Sequence, residues 1–285
     1  MSQLDPPPEA VHEVVSRALA EDLHEDGDVT TLAVVPPEAR GRGTFVARAA
    51  GVLAGTAAAS DVFRQVDPGL ACDWLGADGD RLRVGDAFAT VEGRVRSILA
   101  AERTVLNLLT HCSGVATVTR CFVDAAAGGA GIRDTRKTLP GLRALEKAAV
   151  RAGGGQNHRS SLSESVLIKD NHLAFTALPE AVRRAREAWP GRTIEVECDT
   201  LDQVAEARQL APDLVLVDNM TPAEVTEAVR ILDGKIPVEV SGGVTLDTVS
   251  AYAAAGVQYV SVGAITHSAP SLDLALDVVT DPEDT

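Results

Sequence analysis

The hydrophobic rhythm of the chain changes along its length, and each change predicts a different kind of structure. Residues 9–22 (EAVHEVVSRALAED) place Val11, Val14, Val15, Ala18 and Leu19 at helical spacing, so an amphipathic helix is expected there. Residues 43–92 break into short alternating runs cut by Gly and Asp, TFVARAAGVLAG and DRLRVGDAFATVEG, which predicts a small β-rich region. The second run is hairpin-like but has no lysine at its tip to carry a cofactor, so only its turn chemistry counts. Ser97 can cap a helix reaching about His111, with Ile98, Leu99, Val105, Leu106, Leu108 and Leu109 as its apolar positions. Ser113-Gly114 is expected to interrupt it. A second helix then runs to about Ala127, and Gly128 to Gly131 form a joint.

The C-terminal half keeps a steadier beat. Four apolar runs, IEVE (194–197), LVLVD (214–218), VEVSGG (238–243) and YVSVGA (259–264), end near 197, 218, 240 and 262, a step of about 22 residues. Helix-patterned stretches such as LDQVAEARQL and TPAEVTEAVRIL lie between them. Buried strands alternating with helices predict repeated βα units and a parallel sheet. GIRDTRK and SVLIKDN fit the same scheme, which brings the count to six or seven units and suggests an α/β barrel with fewer than eight strands. Functional groups are then expected at the C-terminal ends of the strands.

Composition narrows the partners. Hydrophobic residues make up 45% of the chain but aromatics only 3%, so the core must be built from Ala, Val, Leu and Ile. A net charge of -15 repels nucleic acid and anionic membrane, and neither is expected as a partner. The N-terminal residues show no basic region followed by an apolar stretch, and no long apolar run suggests a membrane span. Cys72, Cys112, Cys121 and Cys198 form no CxxC pair and read as reduced thiols, so a cytoplasmic location is expected. The charge is uneven, however. Residues 133–169 hold eight basic groups against three acidic ones, and three of the chain's four lysines lie there. Arg143, Lys147 and Arg151 recur at spacing four and read as a solvated helix face. That does not account for Arg136, Lys137, Arg159 and Lys169, which fall near turns or strand ends. A cationic pocket in an acidic protein suits a small, highly charged anion.

Polar residues close each apolar run: Arg136 and Lys137, Lys169 and Asp170, Glu197, Asp218, Ser241-Gly242-Gly243 and Gly263. In a barrel all of them converge on one mouth. Arg136 and Arg159 offer planar forks that match carboxylates and phosphates; Lys137 and Lys169 are compact cations suited to an anion or a leaving group. Glu197 and Asp218 make little sense beside anions unless a divalent cation lies between, and Mg²⁺ carried by a pyrophosphate fits. The glycines at 242, 243 and 263 follow late strands, where bare backbone N–H groups can cradle a phosphate. In GGGQNHR (153–159) three glycines imply close backbone approach, followed at once by Asn157, His158 and Arg159.

The run DTRKTLPGLRALEKAAVRAGGGQNHR, followed by LIKDNH, resembles the quinolinate phosphoribosyltransferases, the decarboxylating nicotinate-nucleotide pyrophosphorylases. AERTVLNLLTHCSGVAT (101–117), EVE, LVDN, SGG and VGAITHS stand in the family's order and spacing. The resemblance implies an N-terminal α/β sandwich domain (1–112), a seven-stranded α/β barrel (113–270) and a C-terminal segment (271–285) packing back on the first domain. It also implies a homodimer or dimer-based hexamer, with Arg103 of AERT shared across the interface. By the same resemblance Arg136, His158 and Arg159 belong to the pyridine-dicarboxylate site, and Thr135 belongs to the binding loop. Lys137 and Lys169 lie near both substrates. Glu197 and Asp218 lie near the ribose hydroxyls and Mg²⁺, directly or through water. Ser241, Gly242, Gly243 and Gly263 match the 5'-phosphate cradle. No organic cofactor is implied. The chain departs from the family pattern at Ala148, Ser161 and Glu164, none of them a charged ligand group lost.

The implied reaction joins quinolinate to phosphoribosyl pyrophosphate and releases pyrophosphate and carbon dioxide. A related phosphoribosyltransferase for another pyridine or aromatic carboxylate is the alternative, and Lys169 in LIKDNH favours quinolinate. A Schiff-base aldolase using Lys169 would leave the arginine cluster and GGGQNHR without a task. A non-catalytic anion-binding protein would bind phosphoribosyl pyrophosphate without turning it over.

Overall fold

The computed structural model describes residues 4–280, and the chain divides into two compact units. The first contains the described residues up to Arg120, Thr138–Gly154 and the chain from Thr266 on; the second contains Cys121–Lys137 and Gly155–Ile265. No helix among the described residues is long and apolar enough to cross a membrane.

The first unit opens with the helix Pro8–Leu23, whose Val11, Val14, Val15 and Leu19 are buried, as their spacing predicts. Pro8 starts it without loss, because the first helical N–H has no partner within the helix. Strands β1 (Arg40–Ala47), β2 (Gly51–Val52), β3 (Ala71–Trp74), β4 (Arg81–Leu82) and β5 (Ala87–Arg94) follow. The antiparallel ladder runs β1-β5-β3, and β2 pairs with β4 alone. The region is not only β-rich: a helix, Thr56–Val66, lies between β2 and β3. The alternation on either side hides it, but Ala58, Ala59, Val62 and Phe63 give it a buried face. Its N-terminus is capped from a distant loop, where the Asp78 carboxylate accepts the N–H groups of Gly55 and Thr56 at 3.1 Å. Phe63 and Phe88 both pack on Phe45, with ring centroids 6.1 and 6.0 Å away.

The helix expected to break at Ser113-Gly114 runs unbroken over 31 residues, Val95–Ala125. Both residues serve packing. The buried Ser113 hydroxyl bonds both the N–H and the carbonyl of Ala54. At Gly114 a Cβ would lie 2.1 Å from the Pro270 carbonyl oxygen, so only glycine fits. Ser97 is not the cap; its hydroxyl donates to Asp67 at 2.7 Å inside the first turns. Arg143, Lys147 and Arg151 do not form a solvated face either. Lys147 is buried, Arg143 donates to the Thr138 hydroxyl, and Arg151 donates to the carbonyls of Leu4 and Asp5.

The second unit holds β6 (Gly131–Arg133), β7 (Val166–Ile168), β8 (Ile194–Cys198), β9 (Leu214–Asp218), β10 (Val238–Ser241) and β11 (Tyr259–Ser261). They form one parallel sheet in the order β6-β11-β10-β9-β8-β7. Gln156 makes a single parallel bridge to Arg133 on the free side of β6, the place of a seventh strand. This is the barrel that the 22-residue beat predicts. Helices follow the strand ends under strong local signals. Thr200 with Gln203, and Thr221 with Glu224 and Pro222, form capping boxes. The last strand, β12 (Leu274–Thr280), belongs to the first unit and pairs antiparallel with β1, with Phe45 opposite Leu276. Residues 281–285 of the expected C-terminal segment lie outside the described residues.

Alternation within the barrel strands positions the site. Successive side chains of a strand point to opposite faces. Ile194, Val196 and Cys198 share one face of β8 while Glu195 and Glu197 share the other; Val238 and Val240 oppose Glu239 and Ser241 on β10; Val215 and Val217 oppose Leu216 and Asp218 on β9. The valine-rich face is buried, and the polar face lines a cavity.

Candidate active site

That cavity, of about 330 Å³, is lined by Thr135, Arg136, Lys137, His158, Arg159, Leu167, Lys169, Glu197, Leu216, Asp218, Glu239, Ser241 and Ser261. The strand ends thus bring together nine of the residues singled out from the sequence, drawn from loops more than 100 positions apart. Gly242 and Gly243 directly follow Ser241, and Gly263 follows β11, but none of the three is part of the lining. Arg103 is exposed on the helix Val95–Ala125, in the other unit, and is also not part of the lining. Ala148, Ser161 and Glu164, where the chain departs from the family pattern, are absent from the lining as well.

Each strand end aims its charge for a local reason. Buried Asp134, just past β6, accepts the Asn157 amide at 2.6 Å and the His158 backbone N–H at 2.8 Å, tying the GGGQNHR segment to the strand. Arg159 donates to the Ser165 carbonyl at 2.8 Å. Burial and then the like charge of Arg136 pull the Arg159 pKa below its ordinary range. Two guanidinium groups close enough to disfavour each other are stabilised by an anion placed between them. On the opposite side Lys169 forms an ion pair with Glu197. Burial raises the Glu197 pKa, the Lys169 pair offsets part of that, and Asp218 raises it further. Glu197 and Asp218 therefore feel one another, and the pair suits a cation in addition to Lys169.

The SGG turn has a specific cause. Gly242 adopts φ +93°, and a Cβ there would lie 2.3 Å from the Asn219 side-chain oxygen. Asn219, itself at φ +57°, donates its backbone N–H to the Ser241 carbonyl at 3.0 Å and its amide to Asp218 at 2.6 Å. The missing side chain lets the β9 and β10 ends meet and fixes the Asp218 rotamer. Gly243, at φ +60°, faces open space.

Beneath the mouth His158 joins residues that the sequence reading passed over, Glu195, Glu239 and Ser261. His158 Nε2 is 2.9 Å from Glu195 and 3.6 Å from Glu239. Arg133 meets the other oxygen of Glu239 at 2.6 Å, and Ser261 donates its hydroxyl to Glu239. Arg133 also lies over the Tyr259 ring. The three ligand-type atoms of His158, Glu195 and Glu239 lie within 4.8 Å of one another, a spacing that a metal ion could use. Arg133 already compensates Glu239, however, and Glu195 accepts the His158 Nε2–H, so each carboxylate has a partner within the protein. Glu195 and Glu239 sit inside IEVE and VEVS, which read as apolar runs. Their period-two spacing to Glu197 and Ser241 was the available signal, because residues two apart share a face. Burial raises the thiols of Cys72 and Cys198 to about 11 and about 12, and raises that of Cys112 as well, so none of these three is poised to react.

The fold and the cavity define an α/β-barrel protein that gathers cations and one carboxylate pair at its strand ends to hold small polyanions. Comparisons with known proteins are more specific. "Quinolinate phosphoribosyl transferase, C-terminal domain" matches residues 115–277, and "Quinolinate phosphoribosyl transferase, N-terminal domain" matches residues 28–113. A nicotinate-nucleotide pyrophosphorylase [carboxylating] of Mycobacterium leprae is 45% identical over 277 residues, covering 95% of this chain and 98% of that protein. A chloroplastic counterpart from Oryza sativa is 38% identical over 94% of this chain and 77% of its own length. The solved structure of the Francisella tularensis nicotinate-nucleotide pyrophosphorylase is 36% identical with a TM-score of 0.92, covering 96% of this chain and 98% of that one. NadC from Streptococcus pyogenes is 36% identical with a TM-score of 0.93, covering 97% and 99%. The chain belongs to the quinolinate phosphoribosyltransferase family.

Proposed function

We propose that the barrel mouth carries the reaction of this family as a division of labour among the lining residues. The chain is a decarboxylating phosphoribosyltransferase: quinolinate and phosphoribosyl pyrophosphate give nicotinate mononucleotide, pyrophosphate and carbon dioxide, on the route to NAD. The observation that carries the assignment of roles is the convergence of Arg136, Arg159, Lys169, Glu197 and Asp218 on one cavity.

Arg136 and Arg159, with Thr135 and His158, hold the two pyridine carboxylates; forked guanidinium groups match carboxylate geometry. Ser241 with the backbone of Gly242, Gly243 and Gly263 receives the 5'-phosphate. Glu197 and Asp218 face the ribose hydroxyls. They would also hold Mg²⁺, directly or through water, which when bound neutralises charge on the pyrophosphate. The pyridine nitrogen attacks C1 of the ribose while the C1–oxygen bond to pyrophosphate breaks. Lys137 and Lys169 stabilise the charge arriving on the leaving group. Lys169 is paired with Glu197, so substrate must compete for that ammonium. The ring nitrogen, now quaternary, stabilises the carbanion left on C2 when the 2-carboxylate departs as carbon dioxide, and C2 then takes up a proton. Alignment of the two substrates supplies much of the rate.

The reading includes a homodimer or dimer-based hexamer in which Arg103 of one subunit completes the pocket of another. Its exposure on a helix outside the lining supports a role away from its own subunit's cavity. It also includes a cytoplasmic location, supported by the four free cysteines. Incubating the protein with quinolinate, phosphoribosyl pyrophosphate and Mg²⁺ is expected to yield nicotinate mononucleotide. Nicotinate in place of quinolinate is expected to yield far less, and equal use of both acids would refute the assigned dicarboxylate site.

A further inference from the structure

We propose that Glu195 and Glu239, buried below the cavity mouth, are positioning residues that act on the quinolinate site through His158. This rests on the assignment of Arg159 to that site. Glu195 and Glu239 are 2% and 0% exposed; Glu239 lines the base of the cavity and Glu195 lies outside its lining. They nevertheless face the one imidazole at the cavity wall. Glu195 takes the Nε2–H of His158 at 2.9 Å, Glu239 lies 3.6 Å away, and Arg133 and Ser261 hold Glu239 from the other side. With Nε2 committed as a donor, the tautomer is set. Nδ1 is left with a lone pair, and it accepts the backbone N–H of Arg159 at 2.8 Å.

The chain of contacts is therefore Glu195 to His158 to the Arg159 backbone, with the Arg159 guanidinium braced separately on the Ser165 carbonyl. The second oxygen of Glu195 is buried without a hydrogen-bond partner. A carboxylate kept there despite that cost has a task that an apolar residue of similar size could not perform. Burial opposes a charged ring, but the hydrogen bond to Glu195 and the charge of Glu239 outweigh it and hold His158 above its ordinary pKa. The neutral ring holds the Arg159 N–H; protonation would turn Nδ1 into a donor and release it. The proposal concerns the neutral ring, in which Nε2 keeps its proton on Glu195 while Nδ1 accepts the Arg159 N–H.

The test uses the full chain. Glu195→Leu is expected to weaken quinolinate binding about tenfold or more by calorimetry, the scale of one buried hydrogen bond lost. Its affinity for phosphoribosyl pyrophosphate should stay within about twofold, which also shows that the variant folds. Glu195→Gln keeps an acceptor and is expected to recover most of the loss. By ¹⁵N NMR the wild type and Glu195→Gln should show a protected Nε2 proton on His158, absent in Glu195→Leu. A Glu195→Leu variant that binds quinolinate like wild type, that loses both substrates equally, or a wild-type His158 unprotonated at Nε2, overturns the proposal. Arg159→Ala separates the two readings. If it binds quinolinate normally, the assigned site itself falls; if it fails while Glu195→Leu is normal, only the positioning role falls.

Discussion

Two levels of the barrel carry nearly the same side chains and do different work. At the rim, near the water, stand Lys169, Glu197 and Asp218; buried beneath them stand Glu195, two residues before Glu197 on β8, and Glu239, two residues before Ser241 on β10, with Arg133 against Glu239. The Lys169 side chain is 41% exposed and paired with a single carboxylate, free to trade it for a ligand. Glu239 is fully buried and held by Arg133 and Ser261 together. Depth alone separates the roles. A charge near water is cheap to repartner, whereas a buried one must be satisfied permanently by the protein. The rim should therefore fail in catalysis and binding with the fold intact, whereas a floor substitution that strands a buried charge should fail in stability.

The largest effect is expected at the floor. Arg133→Ala strands Glu239 as an uncompensated buried charge and should cost about 3–5 kcal/mol of stability, read from chemical denaturation. A loss under about 1 kcal/mol would erase the distinction between the levels. Next, Lys169→Ala at the rim should lower kcat by about a hundredfold or more with little change in unfolding midpoint; a large drop in stability would make it a floor residue. Arg159→Lys should then lose most quinolinate affinity, about 2 kcal/mol, because a point charge cannot replace the fork. Wild-type-like binding by calorimetry would remove Arg159 from the site.

The smallest effect is a slope with pH. His158 binds its proton more tightly in the folded protein than at the ordinary value of 6.5. Its contribution to stability is thus complete below pH 6.5 and fades as pH rises through the raised folded value. Glu195 on β8, Glu239 on β10 and Arg133 on β6 are the charges that set it. Glu197 and Glu239, raised above 4.5 chiefly by burial, act with the same sign, their contributions complete below pH 4.5 and lost as pH rises through the raised values. Denaturation midpoints should fall from pH 6.5 upward in the wild type, and His158→Gln should flatten that fall. An unchanged slope in the variant would show that the floor carboxylates do not govern His158.

Much of the candidate site is legible in the sequence. The strand beat, the charges ending each apolar run and the GGGQNHR segment are local features, and local features survive in a linear text. The continuous helix through Ser113-Gly114 was not readable, because propensity marks that pair as a break while Pro270 and Ala54, far away in the chain, require small residues there. Lys147 likewise reads as surface at spacing four and is buried.

The sequence by itself determined the barrel's repeat, the positive window at 133–169 and the family, since each depends on residues near one another or on matching motifs. Only the tertiary structure decided that His158 meets Glu195 and Glu239, 37 and 81 positions away, and that Gly242 makes room for Asn219. The reason is geometric. Which charges share the barrel interior depends on strand order and register, and those are set by long-range pairing that no local pattern encodes.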